Sequence, residues 1–188
     1  DEGLHYAEAV CRANPGCLLW GSVPCIQGCP WYEVNKKYEN ARRLHDEHMA
    51  KYVKLRSAYL YLANIVYELG GELAYEWPKS CRNWRDPEIL EMLGKFGMLK
   101  ASLHGCAVGL VSHRANYAGV PIFKPWDVAT TCADLFEHLD HYKCIGGHQH
   151  VQQSDQLQLQ KSDHRHVQRR DHQPVSYTHL RAHETRHE

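Results

Sequence analysis

Apolar and polar residues change their spacing several times along the chain, and each change marks an element. Leu4 to Asn14 is apolar at helical spacing and is stopped by Pro15-Gly16. Cys17 to Val23 is a short apolar run ending at Pro24-Cys25, which predicts a buried strand. A Gly/Pro-rich loop, Gln27 to Trp31, follows. From about Val34 to Leu69 the apolar positions Tyr38, Ala41, Leu44, Met49, Tyr52, Leu55, Tyr59, Leu62, Val66 and Leu69 recur at helical intervals. This is one long helix, or two with a break near His45-Asp46, and Gly70-Gly71 ends it. Gly71 to Pro78 predicts a second buried strand, and Lys79 to Arg85 a polar loop. Asp86-Pro87 opens another helix, with Asp as the N-cap and Pro at the first helical position. Its apolar face is Ile89, Leu90, Leu93 and Phe96. Met98 to Leu103 and Pro125 to Thr130 predict third and fourth strands. Thr131 and Asp134 resemble a capping box for a helix from Cys132 to His141.

Strands alternating with helices predict an α/β fold, a Rossmann-like and mostly parallel sheet with flanking helices. In such sheets ligands bind beyond the carboxyl ends of the strands, so Cys25 and Glu76 are expected to face one crevice. From about Val151 apolar residues nearly vanish, and Gln, His, Asp and Arg dominate to Glu188. The expected organisation is therefore a domain over 1–150 and a disordered, Gln/His-rich tail over 151–188. Val175 to Glu188 resembles a translated sequencing-adapter read-through.

The 188 residues suffice for one sizeable core. With 22 basic and 22 acidic side chains there is no global field towards nucleic acid or membrane, so any DNA or RNA contact has to be local. No apolar stretch approaches the roughly 20 residues of a membrane span. The chain opens without Met and without the basic start and apolar run of a signal peptide, which reads as a fragment or processed product. Eight cysteines would suit a disulfide scaffold, but Cys11, Cys17, Cys106 and Cys132 sit in apolar or helical segments. The expectation is a reducing, intracellular compartment, cytoplasmic or nuclear.

Three groups of residues carry candidate chemistry. Cys25 is a candidate nucleophile, its structural alternative being a thiol buried at a tight turn. Glu76 is a candidate acid, its alternative a surface carboxylate capping a loop or pairing with Lys79 or Arg82. Cys144, His148 and His150 have the chemistry of zinc ligands, with Cys106 or Cys81 as fourth. Lys124 and Arg82 are candidates for phosphate contact. The five tryptophans either pack at the edge of the core or ring a base-stacking pocket.

Pro24-Cys25 after one strand, then a helix, then a strand carrying Glu76, resembles the catalytic core of cytosine-5 DNA methyltransferases. The resemblance runs roughly from Cys17 to Val128. It implies that Cys25 attacks carbon 6 of a flipped cytosine, that Glu76 holds the base edge, and that S-adenosylmethionine is the methyl donor. No Gly-rich cofactor loop precedes Cys17, and Trp77-Pro78 replaces the family's Asn-Val. Either the chain begins inside the domain or methyl transfer has been lost. The combination of Pro24-Cys25, Glu76-Trp77-Pro78, Cys81, Trp84, Gly105-Cys106, Lys124-Pro125-Trp126 and Cys144-Ile145-Gly146-Gly147-His148-Gln149-His150 is also similar to a domain of dinoflagellate retroelement-like polyproteins. That likeness implies other parts of a polyprotein as partners. The two expectations are a methyltransferase-like domain and, from a different class, a zinc-stabilised interaction or nucleic-acid-binding module.

Overall fold

The computed structural model describes residues 2–29, 32 and 37–151. The chain divides into two units, Asp1–His150 and Val151–Glu188. Expectations for the tail beyond Val151, including the adapter-like end, lie outside the described residues.

The first helix, α1, spans Glu2–Ala13, and strand β1 spans Leu18–Gly21. Helix α2 then runs unbroken over Glu39–Glu68. No Gly or Pro interrupts those 30 residues, so the polar His45-Asp46 pair lies on the helix without breaking it. Its buried residues Tyr52, Arg56, Tyr59, Leu62, Ala63, Ile65 and Val66 form one face. Strand β2 (Glu72–Pro78), helix α3 (Pro87–Lys95), strands β3 (Leu99–His104) and β4 (Pro125–Thr130) and helix α4 (Ala133–Asp140) complete the unit.

The sheet order is β1-β2-β4-β3. β1 pairs with β2 in parallel, whereas β4 is antiparallel to both β2 and β3. The fold is thus mixed α/β, but the sheet is not mostly parallel. The physical reason is the position of β4. β1, β2 and β3 do run in one direction, each joined to the next through a helix, as the alternation predicts. β4 then inserts between β2 and β3 in the opposite sense, converting two of the three pairings to antiparallel. Hydrophobic alternation reports an element's type, not the slot it takes.

α2 and α3 cover one face of the sheet and α4 the other. The main core is aromatic. Tyr75 and Trp77 are 4.6 Å apart edge-on, Trp77 and Trp84 5.2 Å, and Tyr59 and Tyr75 4.7 Å. Each polar tip is aimed at a backbone acceptor where one is in reach: Tyr59 Oη donates to Ala74 O (2.8 Å) and Trp77 Nε1 to Val23 O (2.6 Å). Trp77 and Trp84 are therefore core residues, as the packing alternative has it. β1 is an edge strand rather than a buried one, with Leu18 and Trp20 nearly half exposed. Gly21 is forced by proximity. A Cβ there would lie 2.5 Å from the Tyr59 ring and 2.6 Å from that of Tyr75.

Asp86 caps α3 as predicted, accepting from Glu88 N (3.0 Å). It also accepts from Tyr52 Oη (2.8 Å) and pairs with the buried guanidinium of Arg56, which binds Glu88 as well. α2 and α3 are thereby joined by charge as well as packing. The predicted capping box at Thr131 does not form. Thr131 Oγ1 instead accepts from Leu73 N (2.8 Å) and donates to Glu72, while Thr130 Oγ1 accepts from Cys132 N (3.1 Å). The hydroxyl serves the sheet, since β2 offers it partners that the helix start would otherwise supply.

Two outcomes follow from this packing. Gly21→Ala should lower stability by about 1–3 kcal/mol through overpacking against the two tyrosines, measured by urea unfolding. Burial alone would raise the Asp86 carboxyl, but hydrogen bonds from Tyr52 and Glu88 N and the charge of Arg56 outweigh it and hold the group low. Its contribution is therefore present above the ordinary carboxylate value of about 4 and lost as pH falls through the lower folded value. Asp86→Asn should flatten the acid limb of the Tm–pH curve compared with the parent chain.

Candidate functional site

Because β1, β2 and β3 point the same way and β4 points back, one edge of the sheet collects three carboxyl ends and one amino end. Cys25, Cys81 and Cys106 follow β1, β2 and β3 respectively, and Lys124 immediately precedes β4.

At the β3 end, Cys106 lies in the 3-10 turn Gly105–Val108. His104 N donates to Tyr142 O (2.8 Å), which ties the segment after α4 to the end of β3. Cys144, His148 and His150 follow, and Gly146 and Gly147 both take positive φ (80° each), reversing the chain between Cys144 and His148. The ligand atoms of Cys106, Cys144, His148 and His150 all lie within 4.8 Å of one another. Cys144 Sγ is 3.7 Å from His148 Nε2 and 3.5 Å from His150 Nε2. His150 Nε2 is 3.3 Å from Cys106 Sγ and 2.9 Å from His148 Nε2. Tetrahedral coordination by two sulfurs and two nitrogens places such atoms roughly 3.3–3.8 Å apart. The group can hold a metal ion.

Neighbours orient these ligands. Cys144 N donates to His104 Nδ1 (2.8 Å), which requires His104 to be neutral at that nitrogen. Burial and the nearby Lys143 and Lys79 charges push His104 in the same direction, towards the neutral form. The His104 ring packs on Phe123 (4.6 Å), and Phe123 on His150 (5.3 Å). Burial and the neighbouring Cys144 thiol raise Cys106 above an ordinary thiol. Metal binding at this group must therefore expel protons.

The three ligands predicted together are brought together. Cys106 is the fourth member of the group that could hold an ion, whereas Cys81 lies elsewhere. His138 is engaged by Tyr142 (3.2 Å) and His141 by the carbonyl of Glu137, so neither joins the group.

Between the β1 and β2 ends, Cys25 is half-buried at the start of the 3-10 turn Ile26–Gly28. A hydrogen bond from Cys81 holds its thiol below the ordinary value against the opposing effect of burial, and the Lys124 charge helps. Glu76 acts on it in the other direction. Cys81 is correspondingly raised, first by its bond to Cys25 and then by burial. Glu76 accepts from Ser22 Oγ (2.8 Å). Lys124 Nζ sits over the Trp126 ring (4.6 Å). Cys25 therefore lies within electrostatic reach of both Lys124 and Glu76, and Arg82 opens the turn that follows Cys81.

A third cluster escaped the sequence. Asp127, only 2 % exposed, accepts from Ser102 Oγ (2.6 Å) and pairs with Lys100 Nζ (3.2 Å). Lys79 Nζ donates to Ser102 Oγ (3.4 Å), and Lys143 Nζ to Ser102 O and to Asp140 (2.6 Å). The signal was a carboxylate inside the apolar run Trp126 to Thr130. Its partners come from three other segments, and no spacing reveals them.

Fold and site define a mixed α/β protein with a two-cysteine, two-histidine ligand group at one sheet edge. No family model, curated protein or solved structure matches the chain. No described helix is long and apolar enough to cross a membrane.

Metal content should track Cys106 and be indifferent to Cys81. Cys106→Ala should abolish stoichiometric metal by elemental analysis, and Cys81→Ala should retain it; the reverse result would relocate the fourth ligand.

Proposed function

We propose that the chain is a zinc-stabilised nucleic-acid-binding module. The observation that carries this reading is the convergence of Cys106, Cys144, His148 and His150, whose ligand atoms all lie within 4.8 Å of one another. Two thiolates and two imidazoles suit Zn2+ better than the harder Mg2+ or Ca2+, which prefer oxygen. Four protein ligands leave no open position, so the ion's part is structural. It would pin the 144–150 segment to the turn after β3, adding to the bond that His104 Nδ1 accepts from Cys144 N.

The choice of nucleic acid rests on the lysines beside that centre. Lys79, Lys100 and Lys143 gather around Ser102, against Asp127 and Asp140, and Lys124 immediately precedes β4. Lys100 lies over Trp84 (5.0 Å) and Lys124 over Trp126. Lys124 over the partly exposed Trp126 ring is the arrangement that suits a single strand, with phosphate on the lysine and a base on the ring. This local patch supplies what the balanced net charge does not. A polyprotein context, as the retroelement resemblance implies, is compatible with such a module.

A second reading is favoured by the grouping of Cys25, Glu76 and Lys124. A thiol and a carboxylate reached from the ends of two parallel strands are the pair the methyltransferase resemblance implies for attack on a cytosine, with Lys124 a candidate for phosphate contact. S-adenosylmethionine is the methyl donor of that reading.

Chelation and salt separate the readings. Removing metal should lower Tm by roughly 8 °C, the value for a domain that gains about 2.7 kcal/mol when metal stands 100-fold above Kd. Binding of a labelled single-stranded oligonucleotide, followed by anisotropy, should weaken with salt. Lys79→Ala or Lys124→Ala should each reduce the log–log salt slope by about 1. Binding that is absent or unaffected by these changes would overturn the nucleic-acid reading. Cys25-dependent methyl transfer to cytosine would establish the second.

A further inference from the structure

The turn Cys25–Gly28 packs against Cys81, and this approach serves neither the Cys/His group nor the lysine patch. Cys25 and Cys81 are 56 positions apart, yet parallel pairing of β1 with β2 sets the carboxyl ends of the two strands side by side, with Gly21 opposite Tyr75. The loop carrying Cys25 is pressed onto the loop carrying Cys81. Trp77 Nε1 clamps it through Val23 O (2.6 Å). Gly28 lies so flush that a Cβ there would be 2.8 Å from Cys81 Sγ and would also collide with the Asn83 side chain. The two sulfurs differ in access. Cys25 is half-buried, whereas Cys81 is only 5 % exposed. Both are free thiols.

We propose that Cys25 and Cys81 are a thiol–disulfide exchange pair acting on low-molecular-weight disulfides, with Cys25 as the attacking sulfur and Cys81 as the resolving one. Exposure assigns the roles, since Cys25 is the more exposed residue of the two. The cation of Lys124 stabilises the Cys25 thiolate, and the Cys81 thiol donates to it. In the first step Cys25 thiolate attacks one sulfur of the small disulfide. A Cys25 mixed disulfide forms, and the first small thiolate leaves. In the second, Cys81 loses its proton to solvent and attacks Cys25 Sγ, forming the internal disulfide and expelling the second thiolate. Two protein thiols are oxidised and one small disulfide is reduced to two thiols, so electrons and protons balance. The same internal bond would withdraw Cys25 from any other nucleophilic role.

The test uses the full chain with oxidised glutathione, acid quench, alkylation and peptide mapping, so that each cysteine is read separately. In the parent chain the Cys25 and Cys81 peptides should be recovered linked. In Cys81→Ser, and in Cys81→Ala as a variant that keeps the site apolar, the Cys25–glutathione mixed disulfide should accumulate instead. In Cys25→Ser, Cys81 should remain alkylatable. Iodoacetamide should modify Cys25 with a pH midpoint below the ordinary thiol value of about 8.5. That midpoint should rise when Lys124 becomes Met. A parent chain in which Cys25 remains in the glutathione mixed disulfide would overturn the proposal. So would pairing of Cys25 with Cys29, or equal behaviour of the parent and the Cys81 variants. Circular dichroism on each variant ensures that a folded protein is being read.

Discussion

Leu18–Gly21 pairs in parallel with Glu72–Tyr75, and that pairing requires Gly21 to lie flush against the rings of Tyr59 and Tyr75. Nearly everything chemical in the molecule depends on it. A parallel pair puts both carboxyl ends at one edge, and the crossover through α2 is what allows two consecutive strands to run that way. β3 is carried in the same direction by α3. β4, running back, starts where the others end. Cysteines that follow three strands and a lysine that precedes the fourth thus meet at a single edge, although they are spread over a hundred residues of sequence.

That edge carries two sulfur sites of opposite character. At the β3 end, thiols and imidazoles converge on a common centre with separations suited to one ion. At the β1 and β2 ends, two thiols lie near one another within reach of a lysine, and one belongs to a more exposed residue than the other. Four soft ligands around a point favour a metal, while a pair of unequal access favours exchange chemistry. The aromatic layer beneath them, Tyr75, Trp77 and Trp84, is rigid because its rings meet edge to face and the indole nitrogens are hydrogen-bonded. A fixed floor of this kind lets loops hold precise positions without disulfides.

The joint between α2 and α3 shows how charge is used inside this fold. Arg56 is buried, which would be unfavourable alone, but Asp86 and Glu88 meet two nitrogens of its guanidinium and Tyr52 Oη donates to the same Asp86 carboxylate. Asp86 is also the N-cap of α3. A single carboxylate therefore starts one helix and anchors it to another, which couples local and tertiary structure in one residue. Asp127 has a comparable part on the sheet, where Ser102 and Lys100 satisfy it and draw the lysine cluster together.

Local patterns in the sequence determined the elements. Pro15-Gly16 and Gly70-Gly71 mark helix ends, Asp86-Pro87 marks a start, and the spacing of Tyr52, Tyr59, Leu62 and Val66 marks the buried face of α2. The close spacing of Cys144, His148 and His150 likewise made a ligand set legible, because Gly146-Gly147 can turn the chain within one short segment. Tertiary structure alone decided the rest. Whether Cys106 or Cys81 joined the histidines depended on which strand end lay beside the 144–150 segment. The direction of β4, the use of Thr131 by the sheet, the Cys25–Cys81 contact and the burial of Asp127 depended on pairings between distant segments. Propensity and spacing act over a few residues, whereas the slot a strand takes is set by the packing of whole layers, and the partners of these side chains follow from that slot.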